Sequence, residues 1–223
     1  MRRHDLVTLR PGASFTFARQ ATDNELQAAV RAWIDGGRPL VGARQPAGRH
    51  NTLQLGLALP TRLDRQRVAC LVRRQDVAAI HPPLPLARCL HRLADSLAHP
   101  LGELARAVAA AGTSLATYGS LAWEALSGEA YRHVDSDIDI LCDVADEAQL
   151  DAVLAALAAA AARLPCRLDG ELRFADGYAV AWQEVGARRN DPAGEVLAKG
   201  DNDVALRPLA DLLATLAPRC HHA

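Results

Sequence analysis

The chain has 223 residues, half of them hydrophobic and 4% aromatic, so it can bury one large core or two small ones built mainly from Leu, Ala and Val. No run approaches the ~18 to 20 uninterrupted apolar residues of a spanning helix, and Met1-Arg2-Arg3-His4-Asp5 leads into no long apolar stretch; a cytoplasmic protein without membrane contact is expected. The net charge of −1 hides fifteen Arg against seven acids in residues 1–100 and ten Lys plus Arg against nineteen acids in residues 101–223; only half the chain is basic and it lacks interleaved aromatics, which argues against nucleic-acid binding.

Period-two alternation predicts a strand over Asp5–Leu9. Thr22-Asp23-Asn24-Glu25 reads as a capping box for a helix with Leu26, Ala29, Val30 and Trp33 on one face, stopped by Gly36-Gly37. Strands follow at 38–44, 53–59 and 68–73, which makes residues 1–82 a small α+β module. The run His81-Pro82-Pro83-Leu84-Pro85 interrupts regular structure and marks a boundary. In residues 83–223 the pattern predicts helices at 86–97 and 101–111, a strand at 115–118, a helix at 119–127, a strand at 137–142 and a helix at 146–162. Strands at 166–174 and 178–185 flank Ala175-Asp176-Gly177, a hairpin signal. Apolar stretches at 196–198 and 204–206 and a helix at 208–216 complete an α+β chain. Cys70, Cys89, Cys142, Cys166 and Cys220 are odd in number and contain no Cys-x-x-Cys pair, so buried free thiols are expected.

Two short segments carry chemistry. Gly119 lacks a Cβ at a strand-to-helix turn, and Ser120 falls at or near the helix N-cap, where hydroxyl and backbone N–H groups receive an anion. In Ser136-Asp137-Ile138-Asp139-Ile140 the two carboxylates share one face of a strand, and carboxylates that close repel unless a cation or proton lies between them. Phosphate and hard divalent metal are therefore expected on neighbouring strands. Ser136 is expected to cap backbone rather than act as a nucleophile, since no base accompanies it. A second acidic face appears on the later strand at Asp169 and Glu171, either of which can be a third carboxylate; the central Glu171 is slightly preferred. Lys199, the only lysine, is a candidate point-charge phosphate ligand, with Arg132, Arg173 and Arg207 behind it.

The Gly-Ser turn, Asp-x-Asp strand and later acid resemble the nucleotidyltransferase superfamily signature. Longer words are more specific: Arg3-His4-Asp5-Leu6-Val7, Arg38-Pro39-Leu40-Val41, Leu55-Gly56-Leu57-Ala58-Leu59-Pro60, Tyr118-Gly119-Ser120-Leu121-Ala122-Trp123 and Leu168-Asp169-Gly170-Glu171-Leu172-Arg173-Phe174 through Ala179-Val180-Ala181-Trp182. They look like the phosphoribosyl-dephospho-CoA transferase of malonate decarboxylase, also called its holo-acyl-carrier-protein synthase, over nearly the whole chain. The resemblance implies a nucleotidyltransferase-like second domain with a mixed sheet flanked by helices. It also implies two Mg²⁺ ions, with Asp137 and Asp139 as metal-binding acids and Gly119 and Ser120 as the phosphate turn. The implied donor is 2′-(5″-triphosphoribosyl)-3′-dephospho-CoA and the implied acceptor is a serine of the apo acyl-carrier subunit. Arg38 and Arg44 of the basic first module are then the first candidates for donor or carrier recognition. The competing readings are an adenylyl- or other nucleotidyltransferase, distinguished by donor preference, and a non-catalytic binding module, against which the intact Gly119, Ser120, Asp137 and Asp139 argue.

Overall fold

In the first half, alternating apolar residues produce strands with one buried face. The computed structural model describes residues 1–18, 24–48, 51–133 and 135–217, which form two units. The first contains Met1–Pro83, Leu126–Tyr131 and Asp201–Asp203. Its elements are β1 (Leu6–Leu9), β2 (Phe15–Phe17), α1 (Asn24–Asp35), β3 (Leu40–Gly42), β4 (Thr52–Ala58), β5 (Arg67–Arg73) and β6 (Val77–His81). The strands pair antiparallel in the order β2-β5-β4-β3-β1-β6. Leu53, Leu55 and Leu57 alternate inward on β4, and Val68, Cys70 and Val72 on β5. Helix α1 buries Val30, Trp33 and Ile34, and the Trp33 indole N–H donates to the Pro39 carbonyl at 2.9 Å. The edge strands β2 and β6 go beyond the sequence expectation. The Thr22-Asp23 part of the capping box lies outside the described residues, as does Cys220.

The second unit holds Leu84–Ala125, Arg132–Gly200 and the chain from Val204 onward. It runs β7 (Leu84–Pro85), α2 (Leu86–Cys89), α3 (Asp95–Ala110), β8 (Leu115–Thr117), α4 (Gly119–Ser127), β9 (Ile138–Asp143), α5 (Glu147–Ala161), β10 (Leu168–Arg173), β11 (Ala179–Ala181), α6 (Trp182–Arg188), β12 (Glu195–Lys199), β13 (Val204–Pro208) and α7 (Leu209–Leu213). The sheet order is β13-β12-β11-β10-β9-β8-β7; β9 and β10 are parallel and every other pair is antiparallel. A mixed sheet with helices therefore follows an antiparallel one, the α+β arrangement expected.

One face of this sheet supplies the core. Ile138, Ile140 and Cys142 on β9, Leu168 and Leu172 on β10, Val180 on β11 and Val196 and Ala198 on β12 are buried with Leu101, Leu104 and Val108 of α3 and Leu150, Val153 and Leu157 of α5. By strand parity the acids occupy the opposite face. Asp146 caps α5, its carboxylate accepting from the Gln149 N–H at 2.8 Å.

Two expectations about elements change. The break placed between 97 and 101 falls instead at Leu93–Ala94: the helix expected over 86–97 stops at Cys89, a 3₁₀ turn spans Leu90–Arg92, and α3 starts at Asp95 and carries the buried Pro100 inside it. The strand expected at 178–185 ends at Ala181, and Trp182 opens α6. There the Trp182 indole and the Gln183 amide both donate to the Leu168 carbonyl, at 3.1 and 2.9 Å, while Val185 turns into the core.

Candidate active site

The site grows from the turn between β8 and α4. Gly119 has φ +65°, the left-handed region, and a Cβ built on it would overlap the Asp139 carboxylate. Glycine is therefore required both by the turn and by the approach of the helix start to this acid. Ser120 is the second residue of α4, two past the cap position and so near the N-cap rather than at it. The backbone of Asp139 is clamped from β8: its carbonyl accepts from the Thr117 hydroxyl at 2.7 Å and from the Tyr118 N–H at 3.2 Å. Ser136 caps backbone as expected, its hydroxyl accepting from the His133 N–H at 2.9 Å.

The parallel pairing of β9 with β10 sets Asp169 beside Asp139 and Glu171 beside Leu141. Registered partners share a face, so Asp137, Asp139, Asp169 and Glu171 lie on one side of the sheet. Gly170 between the last two has φ +142°, and a Cβ there would overlap the Ile140 carbonyl oxygen, so the strands approach closely at this point. The two candidate third acids differ in surroundings. Glu171 is buried and its carboxylate accepts from Lys199 Nζ at 2.9 Å; side-chain exposures are 5% and 32%. Asp169 is half-buried, accepts the Gly170 N–H at 2.9 Å, and lies 3.4 Å from Arg167 Nη2. Arg167 also reaches Asp137, with Nη1 3.9 Å from Oδ2.

Lys199 is thus brought to the acidic face, where it serves Glu171 as a counter-ion. Arg173 is buried and makes a two-pronged ion pair with Asp143, at 2.5 and 3.0 Å. Arg207 pairs with Asp176 at 2.9 Å and stacks over the Tyr178 ring. Arg38 and Arg44 belong to the first unit. Arg38 covers the Trp33 ring at 4.9 Å and lies 3.4 Å from Glu129, which also accepts from Arg62 at 2.6 Å; Arg44 is exposed after β3. The hydrogen bond and charge of Arg62 hold the Glu129 carboxyl below its ordinary range against a smaller opposing effect of burial. Sequence reasoning missed Arg167; its only signal was a position at the mouth of the Asp169 strand.

Two half-buried aspartates on one strand face offer the hard oxygen donors that Mg²⁺ takes, and Mg²⁺ commonly binds one or two carboxylates and completes its shell with water and substrate phosphate. Among the described residues no group of three or more His, Cys, Asp or Glu side chains is arranged to hold a metal ion. The donor set therefore suits an ion that arrives with phosphate better than a resident protein cage. No helix among the described residues is long and apolar enough to cross a membrane. Burial pushes the Cys70 thiol up to about 12 and those of Cys89 and Cys142 up to about 11; the half-buried Cys166 is also raised, and all four are free thiols.

Residues 85–210 match the family model of the phosphoribosyl-dephospho-CoA transferase MdcG C-terminal domain, and residues 2–83 that of the MdcG N-terminal domain. The chain is 33% identical over 211 residues to a phosphoribosyl-dephospho-CoA transferase of Xanthomonas axonopodis pv. citri (strain 306), covering 94% of this chain and 95% of that one. It is 32% identical over 204 residues to a protein of the same description from Bradyrhizobium diazoefficiens, covering 92% and 88%. No solved structure matches it. With both domain models matched in order and these relatives aligned along most of their length, the chain belongs to the MdcG family of phosphoribosyl-dephospho-CoA transferases, enzymes of nucleotidyltransferase type.

Proposed function

We propose that the protein transfers the phosphoribosyl-dephospho-CoA group from 2′-(5″-triphosphoribosyl)-3′-dephospho-CoA to a serine hydroxyl of the apo acyl-carrier subunit of malonate decarboxylase, with pyrophosphate leaving. The observation that carries this reading is the seating of Gly119 against the Asp139 carboxylate, with Asp169 on the adjoining strand. A phosphate received at Gly119-Ser120 meets a carboxylate at once, an arrangement that is tolerable only with a cation between the two.

In this reading Asp137 and Asp139 hold Mg²⁺. Asp169, the cross-strand neighbour of Asp139, is the third acid, and a second ion would draw on it. Bound magnesium supplies neutralisation of the leaving pyrophosphate and acidifies the serine hydroxyl. The chain's own residues contribute position. Backbone N–H groups in the first turn of α4 orient a phosphate, Gly119 leaves the space that a side chain would fill, and Thr117 with Tyr118 fixes the strand that carries Asp139. Lys199 neutralises the buried Glu171 across the intervening strand β11, and its part-exposed ammonium stays available as a point charge for phosphate. The first unit, with Arg44 exposed, recognises donor or carrier.

The test is intact-mass analysis of the apo carrier incubated with this protein, the triphosphoribosyl donor and magnesium. The carrier mass rises by the prosthetic group, pyrophosphate appears, and Asp139→Asn gives neither. An unmodified carrier would overturn the proposal, and an adenylyl adduct formed equally well from ATP would replace it with the adenylyltransferase reading.

A further inference from the structure

Of the three arginines first considered beside Lys199, Arg173 and Arg207 are bound into ion pairs, whereas Arg132 keeps one polar atom in reserve. Its side chain is 14% exposed; its backbone N–H donates to Glu124 Oε1 at 2.8 Å, and Nη1 lies 3.9 Å from Glu124 Oε2. Its Nε is buried and has no hydrogen-bond partner among the described residues. A buried guanidinium N–H left unpaired is costly, and native structures seldom carry one without an unseen partner.

The position of this orphan donor indicates the partner. Glu124 is one helical turn beyond Ser120 on α4, so it ties Arg132 to the helix that begins against Asp139. The chain after Arg132 turns back at once, the His133 N–H donating to the Ser136 hydroxyl at 2.9 Å, and Asp137 follows. On the neighbouring segment Arg167, whose carbonyl accepts from the Ile138 N–H at 2.9 Å, reaches Asp137 and Asp169 with a side chain that is 63% exposed. Both arginines therefore belong to the segments that lead into β9 and β10, where Asp137 stands. An anion approaching these acids needs positive charge beside it, and guanidinium forks match phosphate oxygens two at a time.

We infer that Arg132 and Arg167 form a two-arginine clamp for a diphosphate group: Arg132, held in orientation by Glu124, presents its spare Nε–H, and Arg167 swings from Asp137 and Asp169 onto the same anion. This inference rests on the proposed reaction for the identity of the anion, the pyrophosphate that departs from the donor. The clamp itself is a property of the protein without metal or carrier.

It is tested by calorimetric titration of inorganic pyrophosphate into the full-length protein in buffer containing EDTA and no divalent cation. Arg132→Gln and Arg167→Ala are each expected to weaken binding about tenfold or more, the loss of one charge-assisted contact, and Arg132→Lys to recover part of it. Thermal unfolding of Arg132→Gln checks its fold; Arg167 is exposed enough that its removal leaves the fold intact. Pyrophosphate affinity unchanged in Arg167→Ala and in a folded Arg132→Gln would overturn the clamp, as would no binding by the wild-type protein, even if the carrier is modified as proposed. Arginine-dependent binding by a protein that leaves the carrier unmodified would support the clamp and reject the proposed reaction.

Discussion

Replacing Gly119 with alanine separates what the turn does for folding from what it does for chemistry. Alanine at φ +65° takes on the left-handed penalty, about 1–2 kcal/mol. For a chain of this length that is a fall in melting temperature of roughly 2–8 °C. The new methyl also collides with Asp139: the built Cβ lies 2.9 Å from Cγ and 3.3 Å from Cβ, with a carboxylate oxygen closer still. The aspartate is short, so relief requires its carboxylate to leave the face where Asp137 and Asp169 stand. A displacement of about 1 Å costs on the order of a hundredfold in rate when positioning is the catalyst. Gly170→Ala is the informative contrast, because its Cβ meets the Ile140 carbonyl, which is backbone and cannot rotate away. Gly119→Ala should therefore fold with a modest thermal loss and modify the carrier at least about a hundredfold more slowly, whereas Gly170→Ala should lose more stability than Gly119→Ala. Melting curves and carrier modification followed by mass spectrometry measure both quantities. A Gly119→Ala protein that folds and retains carrier modification within about threefold of wild type would refute the reasoning that Asp139 must occupy this place.

Lys199→Met leaves Glu171 buried without this counter-ion and should cost up to about 3 kcal/mol, the low end for a broken buried pair because Lys199 keeps a third of its surface in water; the double variant Glu171→Gln/Lys199→Met should recover most of the loss in denaturant melts. Cys70, Cys89 and Cys142, with thiols raised by burial to about 11 or above, should escape iodoacetamide at pH 8 in the native protein and react fully after unfolding, as read by peptide mapping. Glu129 has a carboxyl held below its ordinary range by Arg62, so its contribution to stability is complete above that range and disappears as pH falls through the lowered value. Glu129→Gln should then destabilise the protein at pH 7 and flatten the acid side of its melting profile, whereas an unaltered profile would remove that role.

The parts of the site legible in the sequence were those set by local chemistry. A Gly-Ser pair after a short apolar run and two acids at i and i+2 fix a turn and a strand face within a few residues, and both are where the pattern placed them. The choice between Asp169 and Glu171 was not legible, because it depends on the register of β10 against β9, a relation between segments thirty residues apart. The central position of Glu171 in its strand favours it on sequence; the pairing sets Asp169 beside Asp139 and encloses Glu171 with Lys199, and Asp169 is proposed as the third acid on that difference in surroundings. The same limit explains α6. Alternation through Tyr178–Val185 reads as one strand until two side chains converge on the Leu168 carbonyl, a partner ten or more residues back. Arg38, chosen for its charge, is held by Trp33 and Glu129, neither of which its own neighbourhood announces.

The first unit is not continuous along the chain: residues 126–131 and 201–203 belong to it, and Glu129 takes its two guanidinium partners from Arg38 and Arg62, far earlier in the sequence. Gln45 and Arg3 likewise donate backbone N–H groups to Asp201. A gene fragment beginning after Pro83 would encode every acid of the site yet leave those later segments without their hosts. The halves recognised by two separate family models are therefore poor units for recombination, and such a structure should be inherited as a whole.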